Sequence, residues 1–214
     1  MEYLAIALFA VSTCITPGPN NIMIMTSGLN YGIRRSLQHL LGIYIGFPLM
    51  ILVIGLGISE IFTDYPMLHT ALKLGGASYL IYLALRIASA PISKVGENKG
   101  KPLTFLQAAF FQWVNPKAWV LAVGATVTFT VLSDSYASQV LIIAAIFMIF
   151  GSPCTFLWLW FGVSLKTMIQ KPLYVRAFNC SMGLLLIASL YPIFVELYGP
   201  VSYTHLTLPT IYSV

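Results

Sequence analysis

Thr16-Pro17-Gly18-Pro19-Asn20-Asn21 places two prolines, a glycine and two primary amides inside the first apolar stretch of the chain. Pro17 and Pro19 have no N–H to donate and Gly18 is conformationally permissive, so a helix must break or kink there. Broken backbone at membrane depth is tolerated only where it is buried in protein or lines a polar cavity. It then presents carbonyls to an ammonium and amides to a carboxylate, which suits a charged or zwitterionic substrate. Asn20 and Asn21 add neutral donors and acceptors that fix orientation without charge, or else serve only to satisfy the broken helix. Asn115-Pro116-Lys117 interrupts a later apolar stretch in a comparable way. Two broken helices in corresponding places are a sequence pointer to a transporter site. Gln112 and Asn115, three residues apart, share a helix face and act either as substrate contacts or as interhelical glue. Lys117 is the most informative single residue. Ionisable groups this deep are costly and mark function by default. It could attract a substrate carboxylate or titrate if desolvated, or snorkel and pair with helix carbonyls. His39 is a second coupling candidate, because histidine titrates near neutral pH; the plainer reading is a solvated interfacial side chain.

These groups must be held by membrane helices. Of 214 residues, 58% are hydrophobic and 8% charged, far from the roughly one-quarter charged of soluble domains. The expected fold is all-α and integral to the membrane, with no separate soluble domain. Six stretches approach or exceed the roughly 20 residues a span requires: Leu4–Thr26, Leu37–Ile58, Leu68–Ala88, Leu103–Leu132, Tyr136–Leu165 and Tyr174–Leu197. Arg34, Arg35, Arg86, Lys94, Lys99, Lys101, Lys166, Lys171 and Arg176 follow the first, third and fifth of these. A basic excess marks cytoplasmic loops, so both termini are expected outside. Glu2, Glu60, Asp64, Asp134 and Glu196 fall on the opposite side.

Three spans per half imply two inverted repeats with broken helices one and four. Gly46-Phe47-Pro48 echoes Gly151-Ser152-Pro153, Pro17 echoes Pro116, and Gly75-Gly76 echoes Gly183. The glycines Gly42, Gly46, Gly75, Gly76 and Gly183 read as packing positions where backbones approach closely, with a neighbouring helix or a second subunit as the partner. A homodimer is therefore conceivable. Tyr79, Tyr82, Trp113, Trp119, Trp158 and Trp160 read as packing or interface anchors, and His69 and Lys73 as interfacial residues.

Several function classes drop out. The basic residues form no aromatic-interleaved patch, so nucleic acid is not an expected partner. Cys14, Cys154 and Cys180 are widely spaced and lie in apolar segments, indicating neither a metal site nor a disulfide framework. No cofactor is implied, and no Ser, His and Asp sit at matching depth for hydrolysis. Met1-Glu2 offers no basic leader region, so no cleaved signal peptide is expected. The polar tail 199–214 is expected to be non-native or disordered, since 201–214 resembles translated sequencing-adapter read-through. A transmembrane thiol relay through Cys14 is a rival from another class, but the equivalent place in the fourth span holds Gln112, Trp113 and Val114.

The run from Thr16 to Ile22, with Gly32-Ile-Arg-Arg-Ser36 and Gly42-Ile-Tyr-Ile-Gly46, resembles the amino-acid exporter family of LysE and RhtB. So do Gly75-Gly-Ala-Ser-Tyr-Leu-Ile-Tyr-Leu83 and Gln112-Trp-Val-Asn-Pro-Lys-Ala118, and the likeness covers residues 1 to about 198. The resemblance implies a six-helix secondary exporter in the bacterial inner membrane, an antiporter driven by an ion gradient, with the substrate held by Pro17, Gly18, Pro19, Asn20, Asn21, Gln112, Asn115, Pro116 and Lys117. Lysine and arginine exporters of that family carry Gly-Pro-Gln-Asn at the first motif and an Asp in the second span. Here the first reads Gly18-Pro19-Asn20-Asn21 and the second Gly46-Phe47-Pro48. A cationic side chain crossing a membrane also wants a buried carboxylate, and the six stretches contain none apart from Glu196, next to the last residue of the sixth. A neutral substrate is expected, such as cysteine, O-acetylserine, homoserine, threonine or a branched-chain amino acid; a basic amino acid is the alternative. The coupling ion is expected to be H⁺, since no carboxylate cage for a metal cation is present.

Overall fold

The computed structural model describes residues 3–58, 66–89, 100–130, 135–168, 172–188 and 190–191. Among them every regular element is helical. Helix α1 (Tyr3–Ile15) stops just short of Pro17, because the residue before a proline is driven out of the α region. Helix α2 (Pro19–Val53) starts with proline at its first position and Gly18 extended before it, where proline's missing N–H costs nothing. The spans expected from sequence leave a loop near residues 27–36 between the first two. The chain instead stays helical and turns at one residue, Gly32, with φ 76° and ψ 175°. Only glycine adopts that backbone readily.

A π-helical turn (Ile54–Ile58) closes α2. Helix α3 (Pro66–Ala88) follows; the side chains of His69 and Lys73 lie outside the described residues. The predicted fourth span is in three pieces: α4 (Phe105–Phe111), a 3₁₀ turn (Gln112–Val114) and α5 (Pro116–Phe129). Thr104 and Gln107 start α4 with a reciprocal capping box, which satisfies two first-turn donors. Helix α6 (Tyr136–Ile146) runs through a second π turn (Phe147–Gly151) into α7 (Ser152–Met168), and α8 (Pro172–Ala188) completes the set. Two runs, 19–57 and 136–165, are long and apolar enough to cross a membrane.

The most extensive packing is α2 on α7, followed by α3 on α8 and α2 on α4. One apolar cluster joins α1, the second part of α2, α5 and α6, with Phe147 at its centre. The Phe147 ring meets Phe47 at 5.5 Å and Phe9 at 6.2 Å, both edge-on, the arrangement aromatic quadrupoles favour. A second cluster joins the first part of α2 to α3 and α8. The outer surface is apolar too. Leu4, Phe110, Val120, Val127 and Leu184 are each at least two-thirds exposed. So much apolar exposure fits lipid rather than water as the surrounding medium.

Glycines set the closest approaches. A Cβ on Gly42 would lie 2.6 Å from Ala108 Cβ, and one on Gly46 would lie 2.7 Å from Ala109 Cα. The neighbour at both is thus α4 of the same chain. A Cβ on Gly183 would come within 2.8 Å of Ala84 O on α3. At Gly75 an added Cβ meets nothing within 4 Å among the described residues. The environment of Gly76 lies outside the described residues. The tightest crossing was not anticipated from sequence: Gly28 on α2 abuts Leu159 O, while Gly162 on α7 abuts Met25 O.

Candidate functional site

The break between α1 and α2 leaves the last carbonyls of α1 without helical partners. Side chains from three other stretches take them up one by one. Asn21, in the first turn of α2, donates to Cys14 O and Thr16 O, both at 2.8 Å. Trp158 on α7 donates its indole N–H to Ile15 O at 3.2 Å. Lys117 on α5 donates through Nζ to Thr16 O (2.8 Å), Thr16 Oγ1 (2.7 Å) and Pro17 O (3.3 Å). A cation at the C-terminal end of a helix also meets the negative end of its dipole. Thr16 and Pro17 thus form a small oxygen cup, and an ammonium sits in it.

The second break is built to the same plan. Asn115 is extended, Pro116 takes the first helical position of α5, and Asn115 Oδ1 accepts from Lys117 N at 3.2 Å. The two ends differ in one respect. Asn115 caps its helix with its side chain, whereas Gly18 has none to offer. The first-turn amides of Asn20 and Asn21 therefore receive no such cap. Gly18 also makes room for Lys117: a Cβ there would lie 2.7 Å from Lys117 Cδ. The two breaks are tied together by a reciprocal amide pair. Asn20 Nδ2 donates to Gln112 Oε1 at 2.7 Å, and Gln112 Nε2 donates back to Asn20 Oδ1 at 3.2 Å and to Ala108 O at 2.9 Å. Gln112 is fully buried, so this pairing orders both breaks in a low-dielectric setting where such bonds are strong.

Around this arrangement lies a cavity. Gly18, Asn20, Asn21, Asn115 and Lys117 form its polar wall, and Ile43, Phe47 and Leu121 the apolar one. Of the residues singled out from sequence, these five meet at one place. Pro17 enters through its carbonyl, Pro19 and Pro116 as the helix starts, and Gln112 through Asn20. Thr155 and Cys14 also line the cavity; Cys14 stands three residues before Pro17, whereas nothing in the local sequence of Thr155 sets it apart from other polar residues on membrane helices. Trp158 was read as an anchor, and its indole N–H is in fact committed to the broken end of α1. Among the described residues no carboxylate side chain lines the cavity, and no cluster of His, Cys, Asp or Glu suited to a metal occurs.

His39 is elsewhere. It lines a separate cavity with Thr26, Ser27 and Asn30. The expectation of a solvated interfacial histidine fails, because His39 is only 2% exposed: the one-residue turn at Gly32 lays the start of the second span against the end of the first. Tyr31 lines the same cavity, outside the predicted spans. Burial pushes its phenol pKa up, against the opposing pull of Arg86 and Arg35.

The cysteines are free thiols. Cys154 Sγ donates toward Phe150 O at 3.5 Å and lies 3.9 Å from Val11 O, which sets α7 against α1 one turn before Cys14. Cys14→Ser is expected to leave transport unchanged, because serine keeps the small size and the neutral donor. Loss of activity from a Cys14→Ser protein that accumulates normally would instead favour thiol chemistry.

A family model described as LysE type translocator matches residues 11–189. Among curated proteins, the chain is 31% identical over 180 residues to a cysteine/O-acetylserine efflux protein of Escherichia coli O139:H28, covering 84% of this chain and 90% of the relative. Proteins of the same description from Escherichia coli strain K12 and Shigella flexneri are 30% identical over the same shares. No solved structure matches the chain.

Proposed function

The chain belongs to the LysE type translocator family, and from that premise we propose that it exports a small neutral amino acid, cysteine or O-acetylserine first among them, across the bacterial inner membrane. The observation that carries this reading is the oxygen cup of Thr16 and Pro17 with the Lys117 ammonium in it. An amino acid's ammonium has the same charge and the same three donors as a lysine head group. The substrate's ammonium takes the place of Lys117 in the cup, and the released Lys117 pairs with its carboxylate. The uncapped first-turn amides at Asn20 and Asn21 support the carboxylate from the other side. The side chain then faces Ile43, Phe47 and Leu121, and with no carboxylate among the described residues of the wall a lysine or arginine side chain finds no counter-charge there.

The architecture proposed around this site is six spans over 1–198, in two inverted halves, with both termini outside. Three features support it. The two breaks share one construction, Xaa-Pro at a helix start. They meet through Asn20–Gln112 and Thr16–Lys117. Arg35, Arg86 and Lys101 gather at one end, where Arg35 donates to Gly100 O at 2.8 Å and the other two border the His39 cavity. That end is cytoplasmic by the basic-loop rule. Export is driven by the proton gradient, with Lys117, alternately paired with oxygen and with carboxylate, as the coupling candidate within the site.

The test is amino-acid release from cells overexpressing the chain, scanned over all amino acids and O-acetylserine, with and without a protonophore. Release of cysteine or O-acetylserine that the protonophore abolishes is the expected result. Release of lysine or arginine would overturn the neutral-substrate reading and keep the exporter.

A further inference from the structure

The His39 cavity takes no part in the site above, yet the same two stretches of α2 line both. On the first stretch, Asn20 and Asn21 face the Lys117 cavity, while Thr26, Ser27 and Asn30 face the other. On the second, His39 faces one cavity, and Ile43 and Phe47, one and two turns on, face the other. Residues four apart stack along one helix face. The two cavities therefore lie end to end, their polar walls separated by about 10 Å of helix axis at 1.5 Å per residue. The reciprocal Asn20–Gln112 pair stands on the side of the Lys117 cavity.

The His39 cavity has the makings of a binding site in its own right. Its lining mixes apolar wall with a few polar and charged groups, as small-molecule sites do. Arg86 and Lys101 supply two cations at its border, and Met23, Leu83 and Leu103 supply apolar wall. His39 lines it as well, and its Nδ1 is buried without a hydrogen-bond partner among the described residues. A buried ring nitrogen left unpaired is costly, and such groups ordinarily find a partner in protein, water or ligand.

We propose that this cavity is a second amino-acid site, the station an exported molecule occupies on the cytoplasmic side before it reaches Lys117. Its carboxylate pairs with Arg86 and Lys101, and its polar end reaches Ser27, Asn30 and His39 Nδ1. Opening of the Asn20–Gln112 pair lets it pass to the next cavity. This inference rests on the amino-acid reading of the preceding section.

The experiment is equilibrium dialysis of radiolabelled L-cysteine, under reductant, against the purified full chain in lipid nanodiscs. Two molecules bound per wild-type protein are expected, falling to one both in Lys117→Gln and in the double variant Arg86→Gln/Lys101→Gln, with the remaining site different in the two. His39→Leu is expected to behave as the double variant does; should it fail to fold, the double variant, whose changes are at exposed side chains, carries the test alone. One molecule bound by wild type, lost in Lys117→Gln and untouched by Arg86→Gln/Lys101→Gln, would overturn the second site and leave the first standing. No binding of L-cysteine to wild type, with O-acetyl-L-serine equally silent, would overturn the substrate reading and this inference with it.

Discussion

Replacing Lys117 with alanine is expected to cut export roughly 10–100-fold, since a hydrogen bond to a charged group contributes about 1.5–3 kcal/mol. The amount of protein in the membrane should not change. Both halves of that expectation come from the geometry. Nζ bridges the two broken helices through Thr16 and Pro17, so its loss removes the cation that meets the substrate's carboxylate. The carbonyls it leaves behind belong to Thr16 and Pro17, both exposed, where water can replace it, so folding is spared. Lys117→Gln keeps a donor for the cup without the charge, and it should be as defective as alanine if the charge is what matters. Release assays beside immunoblots of the membrane fraction decide the matter. Wild-type export from well-accumulated Lys117→Ala protein would remove Lys117 from the transport cycle, and recovery in Lys117→Gln would reduce it to a structural cap.

The second large effect is on folding. Gly162→Leu is expected to prevent accumulation of the folded protein, and Gly28→Leu to do the same. At each, the first atom of a side chain would meet backbone, Met25 O and Leu159 O respectively. Backbone cannot swing aside as a flexible side chain does, so α2 and α7 must separate along the most extensive contact in the protein. Overpacking in ordinary cores costs about 1–3 kcal/mol, occasionally more, and a helix crossing held open loses its neighbours' packing as well. Gly124 and Gly75 are the controls. Nothing among the described residues lies within 4 Å of a Cβ at either, so alanine there should be tolerated, with a gain of up to about 1 kcal/mol from helix propensity. Fluorescence-detected size-exclusion of tagged variants measures this. Monodisperse Gly162→Leu protein at wild-type yield would show that the crossing relaxes, contrary to the argument.

The breaks at Thr16–Pro19 and Asn115–Pro116 were legible in the sequence because proline's missing N–H and fixed φ act locally, whatever the surroundings. That they face one another was suggested by their matching positions, and Lys117, Asn20 and Gln112 now meet across them. What the sequence did not disclose depends on pairs far apart in the chain. Gly28 and Gly162 carry no local mark, since either would be an ordinary glycine in a membrane helix until the other lies against it. Trp158 looked like an anchor because its indole could serve at an interface equally well; only the position of α7 commits it to Ile15 O. His39 was misread for a related cause. Proximity to Arg34 and Arg35 suggested an interface, but the turn at Gly32 takes a single residue, and the histidine is folded in rather than left at the rim.

The π turn at Phe147–Gly151 has a mechanical consequence. A π turn holds one residue more than an α turn, so the segment between α6 and α7 stores a spare residue. Taking it up into regular α-helix would rotate α7 by about 100° and translate it by about 1.5 Å relative to α6. On α7, Thr155 borders the Lys117 cavity, Trp158 holds the end of α1 and Gly162 is locked against α2. One residue of slack thus sits upstream of three contacts that lie along a single rod, and a shift in winding register would reach all three in one stroke.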